Sequence, residues 1–387
     1  MGISVKPKRR AGASPNRSSV QILGVEIVQV VQNLSNEVPL IRGKPTVVRV
    51  YIKPRGFSKS AKIQGEIAAA PSVGAPAKYV ASINMLNVSG TSYPDLATQR
   101  RDLRASLNFI LPDEVLGWPG ISVQINRVFT TGGDVPVANG QVVSLPLEAS
   151  PVLRVKAIGL RYVWTKPDGS SVNVSPEAFQ FDFLQSFLLR AYPVARVEWS
   201  QLVVQANPLF APPFSGPSDA NGNDPLWLSK LDLAHNQLSA IRAKDIDSGT
   251  DPRTHYYGLV SDASSGLFFR GAAKDVPQTP DPTIVAVGPV GDPKQYSALS
   301  WDKNRTFGDW YGAHELAHTF GRFHPGFCNQ DASDQSFPYS EGRIGDDAHG
   351  DMVGFDFGNS DLGLAMSAMD NETCHDIMTY CDYQWIS

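Results

Sequence analysis

Hydrophobic and polar residues change their spacing along this chain near residue 150. Before that point, β-branched and apolar residues come in short runs interrupted by Pro and Gly. The clearest run is Thr46-Val47-Val48-Arg49-Val50-Tyr51-Ile52, which predicts a strand. Further strands are predicted at Val25 to Val31, Ser106 to Leu111, Ile121 to Val128 and Gln141 to Leu147. Gly117-Trp118-Pro119-Gly120 and Gly132-Gly133 mark turns between them. Several short strands over about 130 residues predict an antiparallel β-sandwich across residues 20–150.

After residue 150, strands and helices alternate. Leu153 to Trp164 reads as a strand. Ser175-Pro176-Glu177 predicts a helix start: a cap, a first-turn proline and an acid at the positive helix end. Phe179, Phe183, Phe187 and Leu188 follow at helical spacing, and Tyr192-Pro193 ends the helix. Val197 to Val204 predicts the next strand. Asp224-Pro225 opens a second helix, with Leu228, Leu231, Leu238 and Ile241 on one side as core. Short strands are expected at Tyr256 to Val260 and Thr283 to Val287. The interleaving predicts a separate α+β domain over residues 151–387.

Composition adds limits. The chain has 387 residues, which favours two or three domains. Its net charge of −4 makes no case for a nucleic-acid partner. No run of 18 apolar residues exists, so no membrane span is expected. The basic, polar start MGISVKPKRRAGASPNRSSV lacks the apolar core of a secretory signal. Residues 1–19 are read as a disordered leader.

The chemistry concentrates in His314-Glu315-Leu316-Ala317-His318-Thr319-Phe320-Gly321-Arg322-Phe323-His324. On a helix, residues four apart lie about 40° apart around the axis. His314 and His318 can therefore aim at one metal ion, with Glu315 beside them as general base. Gly321 permits the left-handed turn that ends a helix, so that His324 can come back as a third ligand. The chain holds only seven histidines, so this spacing is a chance event on the order of one in 100,000. Three neutral imidazoles suit Zn2+ and leave a position for water. Zinc lowers the pKa of that water and polarises a carbonyl, which is the equipment for peptide hydrolysis.

Downstream lies Cys374-His375-Asp376-Ile377-Met378-Thr379-Tyr380-Cys381, with Met378 54 residues after His324. The extended histidine motif followed by such a methionine resembles the metzincin zinc endopeptidases. The resemblance implies that Met378 lies beneath the metal and is not a ligand. The M-x-Y arrangement is similar to that of astacins and serralysins and implies that Tyr380 ligates zinc or steadies the oxyanion. The stretch with Cys328, Phe337-Pro338-Tyr339, Gly342-Arg343-Ile344-Gly345 and Trp385-Ile386-Ser387 resembles bacterial metzincin-like peptidases. Such proteins carry immunoglobulin-like domains ahead of the protease, and Pro39 to Val50 resembles the first strands of one. The expectation is thus an N-terminal immunoglobulin-like sandwich followed by a metzincin-like catalytic domain. The catalytic part would have an upper sheet with two helices, the second bearing the first two ligands. A lower, irregular part would carry His324 and the methionine turn. An extended polypeptide substrate would lie in the cleft between them, along an edge strand.

Other groups carry weaker readings. The three cysteines allow three pairings; Cys328 with Cys381 is favoured and Cys374 with Cys381 is the alternative. A disulfide would suit a secreted protein. His349 among Asp346, Asp347 and Asp351 is a candidate Ca2+ loop, though a solvated acidic loop fits better. His375 beside the turn is surplus to a complete ligand set, and His235 and His255 are read as structural. The competing function is a silenced binding or adhesion module on the same scaffold, which the presence of Glu315 argues against. A metallohydrolase acting on something other than protein is the third reading.

Overall fold

A computed structural model describes residues 18–89, 92–261, 269–291, 308–328, 331–346, 348 and 350–387. The first strand opens at Ser19, so the expected leader falls outside the described residues up to 17. Strand makes up 35% and helix 20%, so the chain is rich in sheet. No described helix is long and apolar enough to cross a membrane.

The chain separates into two compact units, and neither is one continuous stretch. The first comprises 1–25, 49–110 and 122–144; the second comprises 26–48, 111–121 and 145–387. A single boundary near 150 was the expectation. The difference arises because residues 26–48 pack with the later half of the chain.

In the first unit, Ala61–Ala70 pairs antiparallel with Gly120–Thr130 and with Lys78–Ala81. Ile63, Ile67 and Ala69 are buried on this strand while Lys62 is exposed. The sequence reading did not place this strand, because its alanines carry little β propensity. Val20 and Gln21 pair parallel with Val137 and Ala138.

The second unit is built on a mainly parallel sheet. Its strands are β1 (Leu153–Thr165), β2 (Ser171–Val174), β3 (Val197–Gln205), β4 (His255–Val260), β5 (Ala272–Ala273) and β6 (Ala286–Pro289). Three helices join them: α1 (Ala178–Ala191), α2 (Pro225–Asp247) and α3 (Gly308–Thr319). The order is β3-β1-β4-β6-β5, with β5 antiparallel at the edge and β2 folded back on the end of β1. Alternation along the strands feeds two cores. Val155, Ala157, Tyr257 and Leu259 face α1 and α3, whereas Ile158, Leu160, Tyr256 and Val260 face α2. Helices thus cover both faces, as a parallel sheet requires. Gly312 lets α3 sit close, since a Cβ there would stand 2.9 Å from Leu184 and 3.0 Å from Tyr257.

Several local expectations shift. α1 starts at Ala178 with Glu177 as its cap, two residues later than the Ser175 cap predicted. Asp224 does cap α2, accepting from the Trp227 amide at 2.9 Å. Leu228, assigned to the core side of α2, is 41% exposed. β6 begins three residues after the predicted Thr283.

Residues 26–48 are bound into this unit by polar contacts. The carbonyl of Val30 accepts from the Phe355 amide and the Trp385 indole, at 2.6 and 2.9 Å. The Gln29 amide donates to Ile41 O and Thr46 Oγ1 and accepts from the Ile41 amide. Lys44 Nζ donates to the carbonyls of Leu189 and Arg190 in the last turn of α1. Burial pulls the Lys44 ammonium down to about 7. After α3 the chain is largely irregular, with short strands at Val353–Asp356 and Ser367–Met369.

Candidate metal centre

α3 buries Leu316 and Ala317 in the core, and His314, Glu315 and His318 on the same helix are buried as well. The helix ends where the sequence pattern predicts. Gly321 has φ +86°, and the amides of Gly321 and Arg322 close on the carbonyls of His318 and Ala317. This six-residue closure is the Schellman termination, which needs a residue tolerant of positive φ. It sends the chain back so that His324 meets the helix face.

The three imidazoles converge. Their ligand nitrogens all lie within 4.8 Å of one another, and His314 Nε2 stands 3.2 Å from His324 Nε2. Tetrahedral zinc with bonds of about 2.0–2.1 Å places its ligand nitrogens about 3.3 Å apart. Two rings have their tautomer set from behind. His314 Nδ1 donates to the Ile377 carbonyl at 2.6 Å, and His318 Nδ1 to the Arg322 carbonyl at 2.7 Å. Each bond leaves the Nε2 lone pair facing inward, the arrangement a metal-binding histidine requires. Burial holds all three imidazoles below their ordinary range, His324 at about 4, so each is neutral at pH 7. The triad could therefore hold a metal ion, and it is the one such cluster of His, Cys, Asp or Glu among the described residues.

Glu315 is 5% exposed, and its Oε2 accepts the Ala273 amide of edge strand β5 at 2.9 Å. Burial pushes its carboxyl up to about 8, against the pull of the Ala273 amide and Arg270. Met378 is fully buried in the same core as Leu316 and Ala317. The Tyr380 ring is 49% exposed, centred 5.4 Å from the His324 ring and 6.0 Å from that of His314. Cys328 and Cys381 are joined as a disulfide, and Cys374 is free and buried.

The other described histidines stay apart from this cluster. His375 Nδ1 contacts the Asp382 carbonyl, His235 the Ala272 carbonyl, and His255 the Thr319 hydroxyl. Asp347 and His349 lie outside the described residues. Asp346 and Asp351 are tied to Ser340 and Asn371, and no described residues near them form a metal-holding group of three. The sequence reading missed three backbone partners: the Ala273 amide and the carbonyls of Arg322 and Ile377. Main-chain groups have no side-chain signature, so no signal in the sequence could have marked them.

No protein-family model matches the chain, and no curated protein does. Among solved structures, one match is a cycloisomaltooligosaccharide glucanotransferase of Paenibacillus sp. complexed with cycloisomaltoheptaose. It is 10% identical, with 66% of this chain and 29% of that chain covered and a TM-score of 0.19. The match thus takes in less than a third of that protein's length, and so low a score bears on neither fold nor activity.

Proposed function

We propose that this protein is a secreted zinc-dependent endopeptidase of the metzincin type. The observation that carries the reading is the convergence of three neutral imidazoles with buried Glu315 beside them. The edge strand β5, antiparallel on a sheet whose helix α3 supplies two ligands, supports the same reading. So do the Gly321 turn and Met378 buried below. The sheet-rich first unit is read as immunoglobulin-like. The disulfide supports export to an oxidising compartment.

A zinc ion held by His314, His318 and His324 would supply an acidified water and a polarised carbonyl. Glu315 would then serve as the general base that accepts a proton and passes it to the leaving amine. The Ala273 amide keeps one Glu315 carboxylate oxygen fixed. Tyr380, exposed beside His324, would be the donor to a developing oxyanion. An extended polypeptide would lie along the sheet edge at β5.

The test is zinc content and casein cleavage for the wild type and Glu315→Ala. One zinc in each is expected, with cleavage lower by at least ~100-fold in the variant. Zinc in both with no cleavage by either would support the silenced binding module. Cleavage of a small ester or amide but of no polypeptide would support the third reading. Zinc in neither would overturn the proposal.

A further inference from the structure

The two carbonyls that orient His314 and His318 belong to residues 55 positions apart, Ile377 and Arg322. Something must hold both in register with α3. Asp376 is 0% exposed and precedes Ile377 directly. Its carboxylate accepts from Met378 N at 2.8 Å, from Ser387 N at 3.1 Å and from the Ser387 hydroxyl. Arg322 Nη2 donates to both its oxygens, at 3.3 and 3.2 Å. Arg322 also stands two residues before His324. One ion pair therefore ties together the carbonyl behind His318, the approach to His324 and the segment whose carbonyl backs His314.

We propose that Asp376 and Arg322 are a positioning pair that sets the geometry of all three metal ligands. Direct stabilisation by the pair is small, because Arg322 is 39% exposed and its charge is screened. Its consequence is placement. Without the guanidinium, a buried carboxylate loses a cationic partner and the turn 376–378 relaxes to rehydrate it. The Ile377 carbonyl moves with that turn. Without the carboxylate, Arg322 swings toward solvent and its carbonyl leaves His318 Nδ1. Either loss frees an imidazole to rotate. Outer partners of metal-bound histidines commonly contribute 10–100-fold in affinity.

The inference rests on the triad binding a metal, and Co2+ serves as the probe because its visible absorption reports ligand geometry. The full chain is loaded with Co2+, and affinity is measured by competition with a chelator. Asp376→Asn and Arg322→Gln should each weaken Co2+ binding by ~10–100-fold and shift its visible bands. The double variant should bind no more weakly than the weaker single one, since both act through one contact. Arg322→Lys should restore most of the affinity. Should Asp376→Asn not fold, the half-exposed Arg322→Gln carries the test. Affinities within about threefold of wild type and unmoved bands, with a lowered melting point, would make the pair merely structural and overturn the proposal. Wild type that binds no Co2+ removes the metal centre and the proposal together. Wild type that binds, with indifferent variants, removes the pair alone.

Discussion

Opening the Cys328–Cys381 disulfide should destabilise the second unit and loosen its metal site together. The bridge spans 53 residues of sequence, with Cα atoms 5.2 Å apart. Closing a loop of that length removes chain entropy from the unfolded state worth about 4 kcal/mol at 25 °C. Domains are commonly stable by roughly 5–15 kcal/mol in total, so the bridge is a large share. The loop begins four residues after His324 and ends three residues after Met378. Its release therefore acts on His324 and on the turn that carries buried Met378. The perturbation is the pair of substitutions Cys328→Ser and Cys381→Ser, which leaves buried Cys374 untouched. Scanning calorimetry of the metal-loaded chain should show the unit melting on the order of 10 °C lower. Metal affinity should fall in the same samples. A melting point within ~2 °C of wild type, with unchanged affinity, would refute the assignment of the loop as a strap on the site.

Acid should destabilise the protein partly through His255. Burial and the nearby Arg242 hold its imidazole at about 4 against an ordinary 6.5, and its Nδ1 meets the Thr319 hydroxyl. The folded state takes a proton less readily than the unfolded chain. The stabilisation is therefore full above pH 6.5 and is lost as pH falls through 6.5 toward 4, by about 3 kcal/mol in all. Urea unfolding between pH 7 and 4 should show this slope, and His255→Gln should flatten it; an equal slope in the variant would contradict the assignment. Residues 145–387 expressed alone should lack a cooperative melting transition, because the Val30 carbonyl and the Lys44 cap on α1 are gone. A sharp transition in that fragment would show residues 26–48 to be dispensable.

The local part of this protein was legible in its residues. A helix brings positions four apart onto one face, so His314 and His318 declared their convergence by spacing alone. Gly321 marked the helix end because few other residues accept its φ of +86°. The main strands and helices of the second unit were legible too, since a strand buried on both faces and a capped amphipathic helix leave a periodic trace. Pairing across distance left none. Ala272–Ala273 is two alanines with no pattern, and only its place beside β6 and Glu315 makes it the edge of the site. Three cysteines allowed three pairings, and proximity in the folded chain selects Cys328 with Cys381. Residues 26–48 read as strands of the first half, yet their buried contacts lie with the second. The carbonyls of Ile377 and Arg322 carry no residue-specific mark, and Asp376 looks like any acid in a turn. Sequence specifies what a residue offers within a few turns of chain. Which distant group answers that offer is decided by the burial of both, and burial belongs to the tertiary structure.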